Sequence, residues 1–245
     1  MSEFHIRCEK EDISPYVIIV GNPDRATRIS ENFLKEGKLV NSYRSLLTYT
    51  GYYKDLRVTV STTGMGAPST AIVLEELIHL GGKVFIRVGS AGGINPEIDV
   101  GDVVIATGSI RDDGTTPKYL PLGFPAVPDF SVLSKLVKVS KEFSNRVFYG
   151  VVGSSDAFYI PYDDKTLKML VESNVQAVEM ESGCVFIVSQ RREVKSGAIF
   201  AIDGNVTLGK IKPKGTEKKY KEGESIAIKI ALETLLRVYH EENKK

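Results

Sequence analysis

The chain has 245 residues, 42% hydrophobic and 26% charged, with a formal net charge of +1, an ordinary globular composition with enough length for a large core. Near-neutral charge gives no electrostatic reason to expect nucleic acid, and no apolar run approaches membrane-spanning length, so small-molecule partners are expected instead. With two cysteines, three scattered histidines and no basic, apolar leader, the chain is expected to be cytoplasmic, with free thiols and no metal.

No linker or repeat divides the sequence, so residues 1–245 read as one α/β domain. His5 lies in a polar opening segment and, alone near a terminus, reads as solvated. Residues 16–20 form the first strand. Gly21-Asn22-Pro23-Asp24-Arg25 then supplies a turn and an arginine that begins an amphipathic helix over 26–33. Residues 40–50 and 52–61 read as two strands around Gly51, with Arg44 a solvent-facing strand residue. The stretch Thr62-Thr63-Gly64-Met65-Gly66-Ala67-Pro68-Ser69-Thr70 leads into a helix from about 69 to 80. Hydroxyls and glycines at that helix start favour an anion or a polar ligand group.

The anomaly comes next. Val84, Phe85, Ile86 and Val88 are β-branched, aliphatic or aromatic, as in a strand covered on both faces, yet Arg87 sits among them. Gly89, Ser90, Ala91, Gly92 and Gly93 follow as a small-residue loop whose hydroxyl and backbone N–H groups an oxyanion can approach. Two readings compete: Arg87 pairs with a carboxylate at the sheet edge, or it holds an anion together with Arg25. The second draws on the rule that open α/β sheets bind ligands at the carboxyl ends of their strands, where two arginines suit a dianion.

Residues 102–107 form another apolar strand, and 111–129 a long Pro/Gly/Asp loop of the kind that often covers a site. A helix over 131–143 and a strand over 146–152 lead into Ser154-Ser155-Asp156-Ala157-Phe158-Tyr159, where the rings either pack inward or flank a flat heterocycle. After a helix over 163–173 and a short strand over 177–180, Glu179-Met180-Glu181 stands where the helix over 181–191 begins. These glutamates either cap the helix or accept hydrogen bonds from the vicinal diol of a sugar. The last core strand, 197–202, ends in Asp203, which either caps a turn or is a partly desolvated acid able to donate a proton. Residues 210–222 look charged and flexible, and a long amphipathic helix over 224–242 closes the domain.

Taken in order, VGNPDR, TTGMGAPST, RVGSAGG, FPAVPDF, SSDAFY, VEMES and AIDGN resemble the nucleoside phosphorylase family of hexameric type over nearly the whole chain. The resemblance implies a single-domain, three-layer α/β/α fold with a mixed, partly barrel-like central sheet. It implies phosphate held by Gly21, Arg25, Arg87 and Ser90, with Arg44 contributed by a neighbouring subunit. It implies ribose held by Met180, Glu181 and the neighbour's His5, with Met65 lining the pocket, Glu179 beside them, and the base stacked on Phe158. Catalysis is then assigned to Asp203, Arg87 and Glu181. No cofactor is needed, because inorganic phosphate is a co-substrate, and the assembly is a homohexamer built as a trimer of dimers.

The base is read less directly. The motifs PLGFPAVPDF and SSDAFY resemble the uridine branch, which reads uracil with a Gln-x-Arg soon after the aromatic pair. Here that place runs Ile160-Pro161-Tyr162-Asp163-Asp164-Lys165. Asp203 stands where purine-specific members carry the acid that protonates N7, although the arginine that some of them place downstream is replaced by lysines such as Lys210, Lys212 and Lys214. Purine nucleoside phosphorolysis is the expectation, with uridine phosphorolysis the alternative. A nucleosidase and a non-catalytic nucleotide or phosphate sensor are the remaining rivals.

Overall fold

The computed structural model describes residues 3–243. In chain order the elements are β1 (Tyr16–Val20), α1 (Pro23–Phe33), β2 (Lys35–Asn41), β3 (Thr48–Tyr53), β4 (Leu56–Thr62), α2 (Ala67–His79), β5 (Val84–Gly93) and β6 (Val103–Asp112). Then come α3 (Thr116–Tyr119), α4 (Phe130–Ser140), β7 (Val147–Ser155), α5 (Asp164–Glu172), β8 (Ala177–Glu179), α6 (Ser182–Arg191), β9 (Lys195–Asn205) and α7 (Glu217–Glu242). One sheet runs β2-β3-β4-β1-β5-β8-β7-β6-β9, and β9 returns to pair with β5. The ring β5-β8-β7-β6-β9 is therefore barrel-like, while β2 to β4 extend it as an open antiparallel wing.

Strand alternation sorts the core into two layers. Ile18, Val20, Ile86 and Val88 pack with Ile29 of α1, Leu136 of α4 and Ile230 of α7. Val17, Ile19, Phe85 and Phe200 point the other way, against Leu74 of α2 and Phe186 of α6. Helices thus cover both faces of a mixed sheet, the three-layer arrangement expected. Because β1, β4, β5 and β9 are mutually parallel, the stretches after Val20, after Thr62, along the end of β5 and at Asp203 collect at one end of the sheet.

Several local expectations change. Gly51 does not turn the chain but lies within β3, where a Cβ would stand 2.8 Å from the Lys35 carbonyl and 3.0 Å from the Gly37 Cα. The reversal is at Lys54, in the left-handed region at φ 55°. A further turn at Tyr43–Ser45 separates β2 from β3, so Arg44 sits in an exposed left-handed turn, not on a strand. The glycine-rich stretch after Arg87 is strand, paired with β9 as far as Gly93↔Asn205. Its small residues admit close neighbours: a Cβ on Gly89 would stand 2.8 Å from the Phe200 ring and 2.9 Å from Arg87 Nη2. The segment 111–129 is organised by Arg111, whose guanidinium donates to Thr116 Oγ1 and to the carbonyls of Leu120, Pro121 and Phe124. The closing helix begins at Glu217, inside the stretch expected to be flexible.

Candidate functional site

On its β1 side, β5 is paired up to Ile19↔Arg87, and β8 joins that same edge only at Gly92↔Val178. Between them the edge has no strand partner, and the gap is where the strand-end motifs meet. Because β8 runs antiparallel to the end of β5, Glu179 and Glu181 are carried back alongside Arg87.

Arg87 is 3% exposed, and its Nε donates to Glu179 Oε2 at 2.9 Å while Nη2 donates to Glu181 Oε2. Its guanidinium lies 5.5 Å from the centre of the Phe200 ring. Nη1 is buried with no hydrogen-bond partner. A buried, unpaired guanidinium N–H is costly unless something arrives to accept it. The carboxylate pairing expected as one reading of Arg87 is present, and one of its nitrogens is left as a spare donor.

The two glutamates differ. Glu179 has both oxygens in use, Oε1 accepting from the Ser182 N–H at 2.8 Å and from its hydroxyl, and Oε2 from the Glu181 N–H at 3.0 Å and from Arg87. Glu181 accepts the Gly66 N–H at 2.6 Å with Oε1 and Arg87 with Oε2. Burial pushes the Glu181 carboxyl up, and the Glu179 charge adds to this while Arg87 opposes it. Gly66 and Gly64 flank Met65 with φ of 87° and 71°, and Met65 is 81% exposed. Met180 is half-buried between the glutamates.

Arg25 is buried and reaches the same edge of β5. Its Nη1 donates to the Val88 carbonyl at 3.1 Å, Nε to Glu224 Oε1 at 2.6 Å and Nη2 to the Tyr220 hydroxyl at 2.8 Å. Five guanidinium N–H groups against three contacts leave two available. Burial opposes ionisation of Glu224, but Arg25 and then Arg28 outweigh it and hold the carboxyl below its ordinary range. Gly21 and Ser90 are half-buried beside these arginines in sequence. Gly21 has no room for a Cβ without crowding the Gly64 carbonyl at 3.2 Å.

Asp203 ends the apolar run of β9. Burial raises its carboxyl above the ordinary range, opposed by Lys212 and by Arg25. Lys212 Nζ lies 3.5 Å from Asp203 Oδ2 and 5.6 Å from the centre of the Phe158 ring. Phe158 is exposed and meets Tyr159 edge to face at 5.1 Å, so this pair is not part of the core.

His5 and Arg44 stand apart. His5 Nδ1 lies 2.6 Å from Oε1 of the buried Glu76, which also accepts the backbone N–H of His5 and of Ile6. Arg44 is exposed in its turn. Neither hydrogen-bonds to Arg25, Arg87, Glu181 or Asp203 of the same chain. Among the described residues there is no group of three or more His, Cys, Asp or Glu able to hold a metal, and no helix long and apolar enough to cross a membrane.

Tyr220, Glu224 and Glu76 were not singled out from sequence. Their signal is a polar residue on an apolar helix face: Tyr220 and Glu224 share one side of α7 at four-residue spacing, and Glu76 interrupts the buried stripe of α2.

A family model described as the phosphorylase superfamily matches residues 15–237. The chain is 40% identical over 243 residues to a uridine phosphorylase of Treponema pallidum, covering 95% of this chain and 93% of that protein. It is 33% identical over 232 residues to a guanosine phosphorylase of Halorubrum lacusprofundi, covering 93% and 95%. It superposes on a crystal structure of uridine phosphorylase from Vibrio fischeri with a TM-score of 0.91 and 31% identity, covering 96% of this chain and 98% of that one. The chain belongs to the phosphorylase superfamily.

Proposed function

We propose that this superfamily member cleaves nucleosides with inorganic phosphate, releasing the free base and a pentose 1-phosphate, and that it prefers purine nucleosides. The observation that carries the preference is Asp203: a carboxyl raised by burial at the end of β9, with Lys212 reaching both it and the exposed Phe158 ring. As the glycosidic bond breaks, its electron pair passes to the base. A carboxylic acid beside N7 neutralises that charge by giving up its proton, a step typically worth about 10² to 10⁴ in rate.

Phosphate takes the unpaired Nη1 of Arg87 and the two spare N–H groups of Arg25 as donors, with Ser90 and the Gly21 backbone beside them. The dianion then attacks C1′ while its charge stabilises the cation developing on the sugar. Glu181 fixes the ribose hydroxyls, exchanging its Gly66 and Arg87 contacts for the diol, and Met180 and Met65 line the ring. Glu179, whose oxygens accept from four donors where those of Glu181 accept from two, orients Arg87 and the start of α6. Arg44 and His5 are supplied by a neighbouring copy, which makes a dimer the smallest complete unit, within a hexamer. Phosphate is a co-substrate, and no cofactor enters the reaction.

Uridine is the second reading, favoured by the 40% identity to a uridine phosphorylase. A panel of inosine, guanosine, adenosine and uridine with phosphate tests the choice. The purine reading expects inosine or guanosine to lead and Asp203→Asn to lower kcat on it by about 10² or more. Uridine in first place, with Asp203→Asn without effect, refutes it. Equal turnover in phosphate-free buffer replaces phosphorolysis with hydrolysis.

A further inference from the structure

Beyond Asp203, the end of β9 carries a structure with no role in the scheme above. Asn205 and Lys210 exchange backbone hydrogen bonds, Asn205 N–H to the Lys210 carbonyl at 2.7 Å and Lys210 N–H to the Asn205 carbonyl at 2.9 Å. This folds the chain back so that residues 210–212 lie on Gly204. A Cβ there would stand 2.4 Å from the Lys210 carbonyl and 2.8 Å from the Lys212 nitrogen, so only glycine admits the approach. Lys212 itself holds φ at 44°, a left-handed backbone uncommon for a lysine. Strain of this kind persists where surrounding contacts impose it, and it clusters at ligand sites. Its effect here is to bring the ammonium to 3.5 Å from Asp203 and 5.6 Å from the Phe158 ring centre, while the side chain stays 62% exposed.

We infer that Lys212 determines base specificity, its ammonium selecting bases that carry an oxo group, and rejecting those with an amino group, at the ring position beside the atom Asp203 faces. This rests on the proposed placement of the base between Phe158 and Asp203. An ammonium has three donors and no acceptor. Hypoxanthine and guanine present O6 and N7, two acceptors on one edge, which match the ammonium and a protonated carboxyl together. Adenine presents an amino donor next to N7, and its N–H groups face the ammonium donor to donor. The same logic separates uracil, with an oxo group at position 4, from cytosine, with an amino group there. The oxo group also assists the acid: Lys212 opposes the rise in the Asp203 carboxyl, and drawing the ammonium toward O6 weakens that opposition.

The test is the ratio of kcat/KM for inosine to that for adenosine, with phosphate, in the wild type, Lys212→Met and Lys212→Arg, with uridine and cytidine as a second pair. The wild type is expected to favour the oxo member. Lys212→Met should lower the ratio by about tenfold or more, the scale of one well-placed base-edge contact, and Lys212→Arg should retain it. A ratio in Lys212→Met within about threefold of wild type, or a kcat that falls equally on oxo and amino substrates, overturns the inference, since a merely structural lysine acts on all bases alike. If the wild type turns over only pyrimidine nucleosides, the purine reading fails while the uridine-to-cytidine ratio still decides Lys212. If it turns over no nucleoside, calorimetric binding of free hypoxanthine against adenine to wild type and Lys212→Met decides the same point.

Discussion

Removing the Arg87 charge with Arg87→Met tests the electrostatics of the site without reference to any substrate. Methionine keeps most of the arginine stem against Phe200, so the change is chiefly the loss of a cation from a cluster in which the side chains of Arg87, Glu179 and Glu181 are 4%, 1% and 5% exposed. Deleting one partner of a buried ionic cluster costs about 3–5 kcal/mol, because the charges left behind are uncompensated. Glu181 offers an escape. Burial already raises its carboxyl, and Arg87 is the main influence opposing that rise, so in the variant it should hold a proton at still higher pH. The folded variant then binds a proton that the unfolded chain, with an ordinary carboxylate, has released. Stability of such a state rises as pH falls, by up to about 1.4 kcal/mol per unit across the window between the two titration points.

Urea unfolding of wild type and variant at matched protein concentration, between about pH 8 and pH 5.5, should therefore show a gap that is largest at high pH and narrows toward low pH. Adding Glu179→Gln and Glu181→Gln to Arg87→Met should recover much of the loss, since neutralising the whole cluster removes the unpaired charges. A gap below about 1 kcal/mol at pH 8, or one that does not change with pH, refutes the account of Arg87 as the counter-charge of these glutamates.

Two further outcomes follow from the packing. Glu76→Ala removes the acceptor for the backbone N–H groups of His5 and Ile6 and for the His5 ring. It should destabilise by about 1–3 kcal/mol and speed hydrogen exchange at those two amides, whereas unchanged protection at them would show that the segment is held by other contacts. Gly204→Ala places a methyl against the Lys210 carbonyl and the Lys212 nitrogen. It should shift the oxo-to-amino substrate ratio in the same direction as Lys212→Met, and an unaltered ratio would mean that the position of Lys212 does not depend on that close approach.

Much of the fold was legible because strand alternation and strand-end turns are local signals. The strand Tyr16–Val20 falls where its apolar run does, and α1, α2, α4, α5 and α6 fall within about three residues of their periodic stretches, whereas α7 starts seven residues early and α3 was not expected. The failures are places where distant backbone decides. Gly51 reads as a turn residue, but its lack of a side chain serves the close approach of Lys35 and Gly37 where the antiparallel pairing of β2 with β3 is irregular. The glycines after Arg87 read as a loop, but they stay in β5 because β9 pairs along them, a contact more than a hundred residues away in sequence. At the site, residue types announced Arg25, Arg87, Glu181 and Asp203, while the partners that fix the orientation of Arg25 were missed: Tyr220 lies in a stretch that reads as charged and flexible, and Glu224 at the start of a helix whose charges read as a solvated face.

From sequence, Arg25 and Arg87 look equivalent, each an arginine at a strand end in reach of one anion. Their surroundings divide the work. Arg25 is tied through all three nitrogens to Val88, Glu224 and Tyr220, so its guanidinium plane is set before any ligand arrives and the charge costs no reorganisation on binding. Arg87 keeps a whole nitrogen unpaired and shares its charge with a carboxylate, Glu181, that has reason to let go. In the proposed reaction a phosphate dianion at Nη1 would compete with Glu181 for the same cation and free that carboxylate for a sugar hydroxyl, so that phosphate and nucleoside would reinforce each other through Arg87, whereas Arg25 would meet phosphate and, through its charge, oppose the rise of the Asp203 carboxyl.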